Sequence, residues 1–158
     1  FTFFAMTLFA EARNLDEESI EMVARVINNR KKSGSYIQAV TKLSQFSSWY
    51  YRNRRDNVVM LCPSKAYHKH WPKILRVANR FYNKGDSTFK SVNYFAPYNM
   101  VPRYRVPHWA KGSYAVGFGG HIFLIDKKQI KDIDQEVIFI PKKAKKIKVI
   151  RGKIKIIS

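Results

Sequence analysis

The sequence predicts an α+β fold, mainly α, that closes in a small C-terminal β-hairpin appendage. Three observations predict it. Apolar residues recur at helical spacing through the first half of the chain. From Asp86 the texture turns rich in proline, glycine and aromatics, and that stretch ends in one strand-like run, HIFLI. The last segment alternates, KIKVI then Arg151-Gly152 then KIKII, and period two around a glycine-containing turn is a hairpin signal.

Each element has its own warrant. Thr2 to Arg13 is apolar on nearly every side, which fits a buried helix. Asn14 to Asp16 breaks it. Asp16 suits the N-cap of a second helix, with Glu17 and Glu18 in the first turn, where the helix dipole favours them. Ile20, Val23, Ala24 and Ile27 give that helix an amphipathic face. Arg30, Lys31 and Lys32 crowd its end, and Gly34 is expected to stop it. Ser35 can cap a short third helix, YIQAVTKL. SQFSSWYY follows, and YRNRRDN reads as a solvated loop. Ser64 and Pro72 mark two further helical starts. Ile74, Leu75, Val77, Ala78, Phe81 and Tyr82 form the apolar face of the second, with Gly85 expected to end it. Residues 86–120 read as loop, and HIFLI as a single strand. Domain organisation is expected as a main domain over 1–126, with a basic β-rich extension over 127–158 packed on or beside it.

Composition bounds the function classes. With 158 residues the chain holds one domain with a real core. One cysteine, Cys62, excludes an internal disulfide framework and a Cys-based zinc site. No stretch is long enough for a transmembrane segment. The opening FTFFAMTLFA lacks a basic start and runs on into EARN, so it reads as folded protein rather than a leader. The chain starts without Met, as a processed or trimmed chain would. A net charge of +19 draws the protein toward polyanions: nucleic acid, anionic lipid or acidic envelope polymers.

Glu11 is the first charge in the chain and stands in an apolar helix. Apolar surroundings disfavour a carboxylate's charged form. A carboxylic acid that keeps its proton near neutral pH is what glycosidic cleavage needs, because the leaving oxygen must be protonated. The bland reading is an exposed stripe near the helix end, or neutralisation by Arg13 or Arg30.

Five segments carry a resemblance. They are Glu11-Ala12-Arg13 after an apolar helix start, Asn29-Arg30 closing a helix, Gln45-Phe46-Ser47 after a short helix, and the pair VNYFAPYN and GGHIFL further on. In this order they resemble the cell-wall hydrolase family of the spore-cortex-lytic enzyme SleB, over about residues 5 to 125. Asn14-Leu15 stands where the family commonly has Gly-Glu, and Phe95-Ala96-Pro97 where it has Tyr-Asn-Pro. The resemblance implies a lysozyme-like helical domain. It implies a lytic transglycosylase that cuts the β-1,4 bond after N-acetylmuramic acid in peptidoglycan, with Glu11 as the catalytic residue. A hydrolytic muramidase on the same bond is the alternative. The setting implied is the bacterial cell wall, periplasmic or extracellular, and a phage endolysin or virion-borne enzyme fits the charge.

Substrate contacts are expected from Gln45, Phe46 and Ser47, from Tyr94, Tyr98 and Trp109, whose faces can stack on sugar rings, and from His121. Against these stand a helix-end turn for residues 45–47 and core or structural positions for the rest. His68 and His70, two apart, would not face each other on a helix and have no evident third ligand, so no metal is expected, and no cofactor. Cys62 lacks the setting of a nucleophile. A nucleic-acid module has only charge and the WYYRNRR stretch in its favour, with no recognised motif, so nucleic acid is not expected as a partner. PKKAKKIKVIRGKIKIIS contains no acid. It reads either as a solvated, aggregation-resistant edge or as a docking surface for anionic envelope polymers.

Overall fold

The computed structural model describes residues 1–31, 34–42, 46–49, 68–84, 93–95, 105–150 and 153–157, with backbone only at 47, 93–95 and 132. The architecture is α+β and mainly α. It falls into two compact units, Phe1–Asp86 and Ser87–Ser158. The expected boundary at 126 differs from this division, and the reason lies in the second unit's core, described below.

The first unit is helical. Helix α1 (Thr2–Ala12) buries Phe4, Ala5, Thr7, Leu8, Phe9 and Ala12. Phe1 at its N-cap offers no capping side chain, so burial is what holds it; each large apolar side chain removed from water contributes about 1.5–3 kcal/mol. Helices α2 (Glu17–Lys31), α3 (Tyr36–Thr41) and α4 (Trp71–Phe81) all pack on α1. The expected capping holds in detail. Asp16 Oδ1 accepts from the Ser19 amide at 2.8 Å. Ser35 and Gln38 form a reciprocal capping box at the start of α3. Ile20, Val23, Ala24 and Ile27 are fully buried.

Helix α4 presents Ile74, Val77, Ala78 and Phe81 to the core, whereas Leu75, one residue round from Ile74, is exposed. The helix ends at Phe81, and Gly85 lies outside the described residues. Asn83 adopts the left-handed conformation at φ 57° just past the helix end, a role asparagine shares with glycine. Asn28 on α2 ties this end down, its amide donating to the Phe81 carbonyl at 2.8 Å and the Lys84 carbonyl at 3.2 Å. Tyr36 Oη donates to Asn28 Oδ1 and accepts from the Asn83 amide, both at 2.8 Å, while its ring stacks on Tyr82. Burial raises the Tyr36 pKa.

The second unit is β-rich. Strands β1 (Asn93–Phe95), β2 (Tyr114–Phe118), β3 (His121–Ile125) and β4 (Ile138–Phe139) form an antiparallel sheet in the order β1-β3-β2-β4. HIFLI is β3, as expected, but it is central rather than solitary. Gly119 and Gly120, at φ 52° and 82°, join β2 to β3 with the dihedral signs of a type I′ turn. Strands β5 (Lys146–Ile150) and β6 (Lys153–Ile157) form the expected hairpin.

That hairpin is not an appendage. Ile140, Ala144, Ile147 and Ile154 share one core with Val106, Ala110, Ala115, Ile122 and Leu124. The Val106 amide donates to the Lys145 carbonyl, and Gly112 and Ser113 exchange backbone bonds with Ile140. Residues after 126 therefore complete the same core as β2 and β3, which is why no boundary falls there. No helix among the described residues is long and apolar enough to cross a membrane. The Ser64 helical start, the YRNRRDN loop and Cys62 lie outside the described residues.

Candidate active site

Helix α1 carries a stripe at i, i+4, i+8 made of Phe3, Thr7 and Glu11, and the short 3₁₀ turn Ser47–Trp49 lies along it. The turn is fastened at three points. The Trp49 ring packs on Phe3 with centroids 5.1 Å apart. Trp49 Nε1 donates to Thr7 Oγ1 at 2.8 Å, and the Thr7 hydroxyl donates to the Phe3 carbonyl at 2.7 Å. Ser48 Oγ donates to Glu11 Oε1 at 3.1 Å. Thr7 and Ser48 are fully buried, and Glu11 is half-buried. The half-buried carboxylate is thus held at one oxygen by a buried hydroxyl.

Arg13 turns back along α1, its Nη1 donating to the Ala10 carbonyl at 3.0 Å and its guanidinium lying over the Phe9 ring. A cation on the last carbonyls favours the helix terminus. Arg30 lies over the Phe46 ring, 4.7 Å from its centroid. The other described carboxylates of the helical unit serve α2. Asp16 caps it. Glu17 binds Arg76 at 3.1 Å and Arg80 at 3.0 Å, Glu21 also pairs with Arg80, and Glu18 is exposed in the first turn. The two arginines hold the Glu17 carboxyl below its usual range, chiefly through the Arg76 hydrogen bond.

The expected site residues divide between the units. Glu11, Phe46 and Ser47 belong to the helical unit, and Tyr94, Trp109 and His121 to the β-rich unit. Phe46 is 1% exposed, so it belongs to the core and offers no face to a sugar. The Ser47 backbone is in the 3₁₀ turn, and Tyr94 pairs with Phe123 in the β1–β3 ladder. Trp109 is 58% exposed and sits on a 3₁₀ turn. His121 is buried in β3, and burial lowers its pKa to about 4, against a partly offsetting bond with the Gly119 backbone. At that value it is neutral at physiological pH. Gln45 and Tyr98 lie outside the described residues.

Sequence reasoning passed over Thr7, Ser48 and Trp49. The signal for Thr7 is a hydroxyl four residues before Glu11 inside an apolar helix. Ser48 carries no such signal, because nothing local distinguishes it from Ser47. Among the described residues, no group of three His, Cys, Asp or Glu is placed to hold a metal. His68 is exposed and His70 half-buried, with burial and then Lys69 and Lys73 lowering the His70 pKa.

No family model, no curated protein and no solved structure matches the chain.

Proposed function

We propose that the protein is a peptidoglycan lytic transglycosylase, and that Glu11 is its acid and base. The observation that carries the reading is the Ser48–Glu11 pair: a half-buried carboxylate on a buried helix, gripped at one oxygen by a buried hydroxyl. The motif resemblance over residues 5 to 125 supports it, with the helical unit as a lysozyme-like core.

In this reading Ser48 holds Oε1, and Oε2 carries the proton. Glu11 gives that proton to the oxygen between N-acetylmuramic acid and N-acetylglucosamine, and the C1–O4 bond breaks with positive charge developing at C1. The carboxylate then takes the proton of the muramoyl C6 hydroxyl as that oxygen attacks C1. The product is a 1,6-anhydro ring, Glu11 ends protonated as it began, and no water is consumed. One carboxyl suffices for this cycle, whereas most glycosidases use a flanking pair. The commitment of Asp16, Glu17 and Glu21 to the α2 cap and the α2–α4 ion pairs fits a single-acid mechanism.

The test is the mass of the soluble products from purified sacculi. A transglycosylase gives anhydro-ended muropeptides, one water lighter than those of a muramidase. Reducing-ended products would replace the transglycosylase reading with hydrolysis, and intact sacculi would remove both.

A further inference from the structure

The β5–β6 register sorts the hairpin into two faces. Ile147 pairs with Ile156 and Val149 with Ile154, and these four turn toward the unit's core. The outward face holds Lys146 opposite Ile157, Lys148 opposite Lys155, and Ile150 opposite Lys153. Arg105 bridges to Lys146 on the other side of β5, so it extends the same row. The face therefore shows five cations and two isoleucines, and no acid.

Two features separate it from an ordinary solvated face. Lys148 and Lys155 stand directly opposite each other, an arrangement that destabilises a ladder. A face selected only for solubility would alternate signs, yet the chain contains no acid after Glu136. Ile150 and Ile157 are 39% and 48% exposed, at diagonally opposite corners around the lysine pair. Lysines alone match any polyanion. Lysines with exposed isoleucines on a rigid two-stranded plate match a surface with anionic headgroups and an apolar layer beneath them. The inward face is already occupied, so the plate can press its outward face on such a surface without unfolding.

We propose that this face, Arg105, Lys146, Lys148, Ile150, Lys153, Lys155 and Ile157, docks the protein on an anionic phospholipid bilayer. The proposal does not depend on the chemistry of Glu11.

The test is co-sedimentation of the full chain with phosphatidylcholine vesicles, with and without phosphatidylglycerol. Binding is expected only with phosphatidylglycerol, and it should weaken steeply between 0.1 M and 1 M salt. The double variant K148Q/K155Q should lower affinity about 30-fold, from the roughly fivefold contribution of each lysine near an anionic surface. Its melt should be unchanged or higher, because a like-charge pair is relieved. K127Q/K128Q removes two exposed lysines elsewhere in the unit and should have a much smaller effect. I150S/I157S should weaken vesicle binding while leaving its salt dependence. An equal loss from K127Q/K128Q would make overall charge the cause and overturn the proposal. So would binding to phosphatidylcholine alone, no binding to either vesicle, or indifference to I150S/I157S. Tighter binding to soluble polyphosphate or to lipopolysaccharide than to phosphatidylglycerol vesicles would assign the face to those polyanions instead.

Discussion

Ser48 is the residue on which the geometry at Glu11 turns. Replacing it with alanine removes the donor to Oε1 that would hold the carboxylate once Glu11 has given up its proton, and a hydrogen bond to a charged group is worth about 1.5–3 kcal/mol. Sacculus turnover by Ser48→Ala should fall roughly ten- to a hundredfold with the fold retained, while Ser48→Thr, which keeps the hydroxyl, should recover much of it. Equal loss in both variants would mean that the site responds to packing and not to the donor. His121 makes a different kind of prediction. Its folded pKa of about 4 lies below the ordinary histidine value, so the unfolded chain binds the extra proton first as the solution is acidified. The stability from keeping it neutral is fully present above about pH 6.5 and is lost between there and about pH 4, amounting to roughly 3 kcal/mol. Denaturant titrations at pH 7.5 and 4.5 should show His121→Gln losing less stability on acidification than the parent chain. Parallel losses would place the acid sensitivity elsewhere.

At the scale of elements, the hairpin is the strongest correction. Read from sequence, KIKVI and KIKII are a basic hairpin appendage packed on or beside the main domain. In the folded chain Ile147 is fully buried and Ile154 nearly so, in the core that also contains Ile122 and Leu124. Ile147→Ala should therefore cost about 2–5 kcal/mol. Deleting residues 141–158 should abolish the cooperative melt of the β-rich unit, and an unchanged melt after that deletion would restore the appendage reading. The helices were legible because their signals are local: caps at Asp16 and Ser35, and i, i+3, i+4 spacing in α2. The β2 strand was missed because YAVGF lies among turn residues, although the Gly119-Gly120 step before HIFLI marks a two-residue hairpin. The stop of α4 was misplaced because a left-handed asparagine gives a weaker signal than a glycine. The partnership of Ser48 with Glu11, 37 residues apart, could not be read locally at all; only folding brings them together.

At the scale of the whole molecule, a strongly cationic chain places Glu11, the proposed acid, in its helical unit and the lysine-rich hairpin in its β-rich unit. A net charge of +19 favours encounter with polyanions in general, but it makes no bond and breaks none. In the proposed mechanism, cleavage rests on one carboxyl group. The most direct measurement is therefore sacculus turnover by the parent chain and by Glu11→Gln side by side, with matched circular dichroism. The variant keeps shape and loses the acidic proton. General acid catalysis contributes about 10²–10⁴-fold, and with one residue serving as both acid and base the loss should reach the upper end of that range, with anhydro-ended products vanishing together with rate. Retention of more than about a tenth of the parent rate by a folded Glu11→Gln protein would contradict the account and place the catalytic acid elsewhere in the chain.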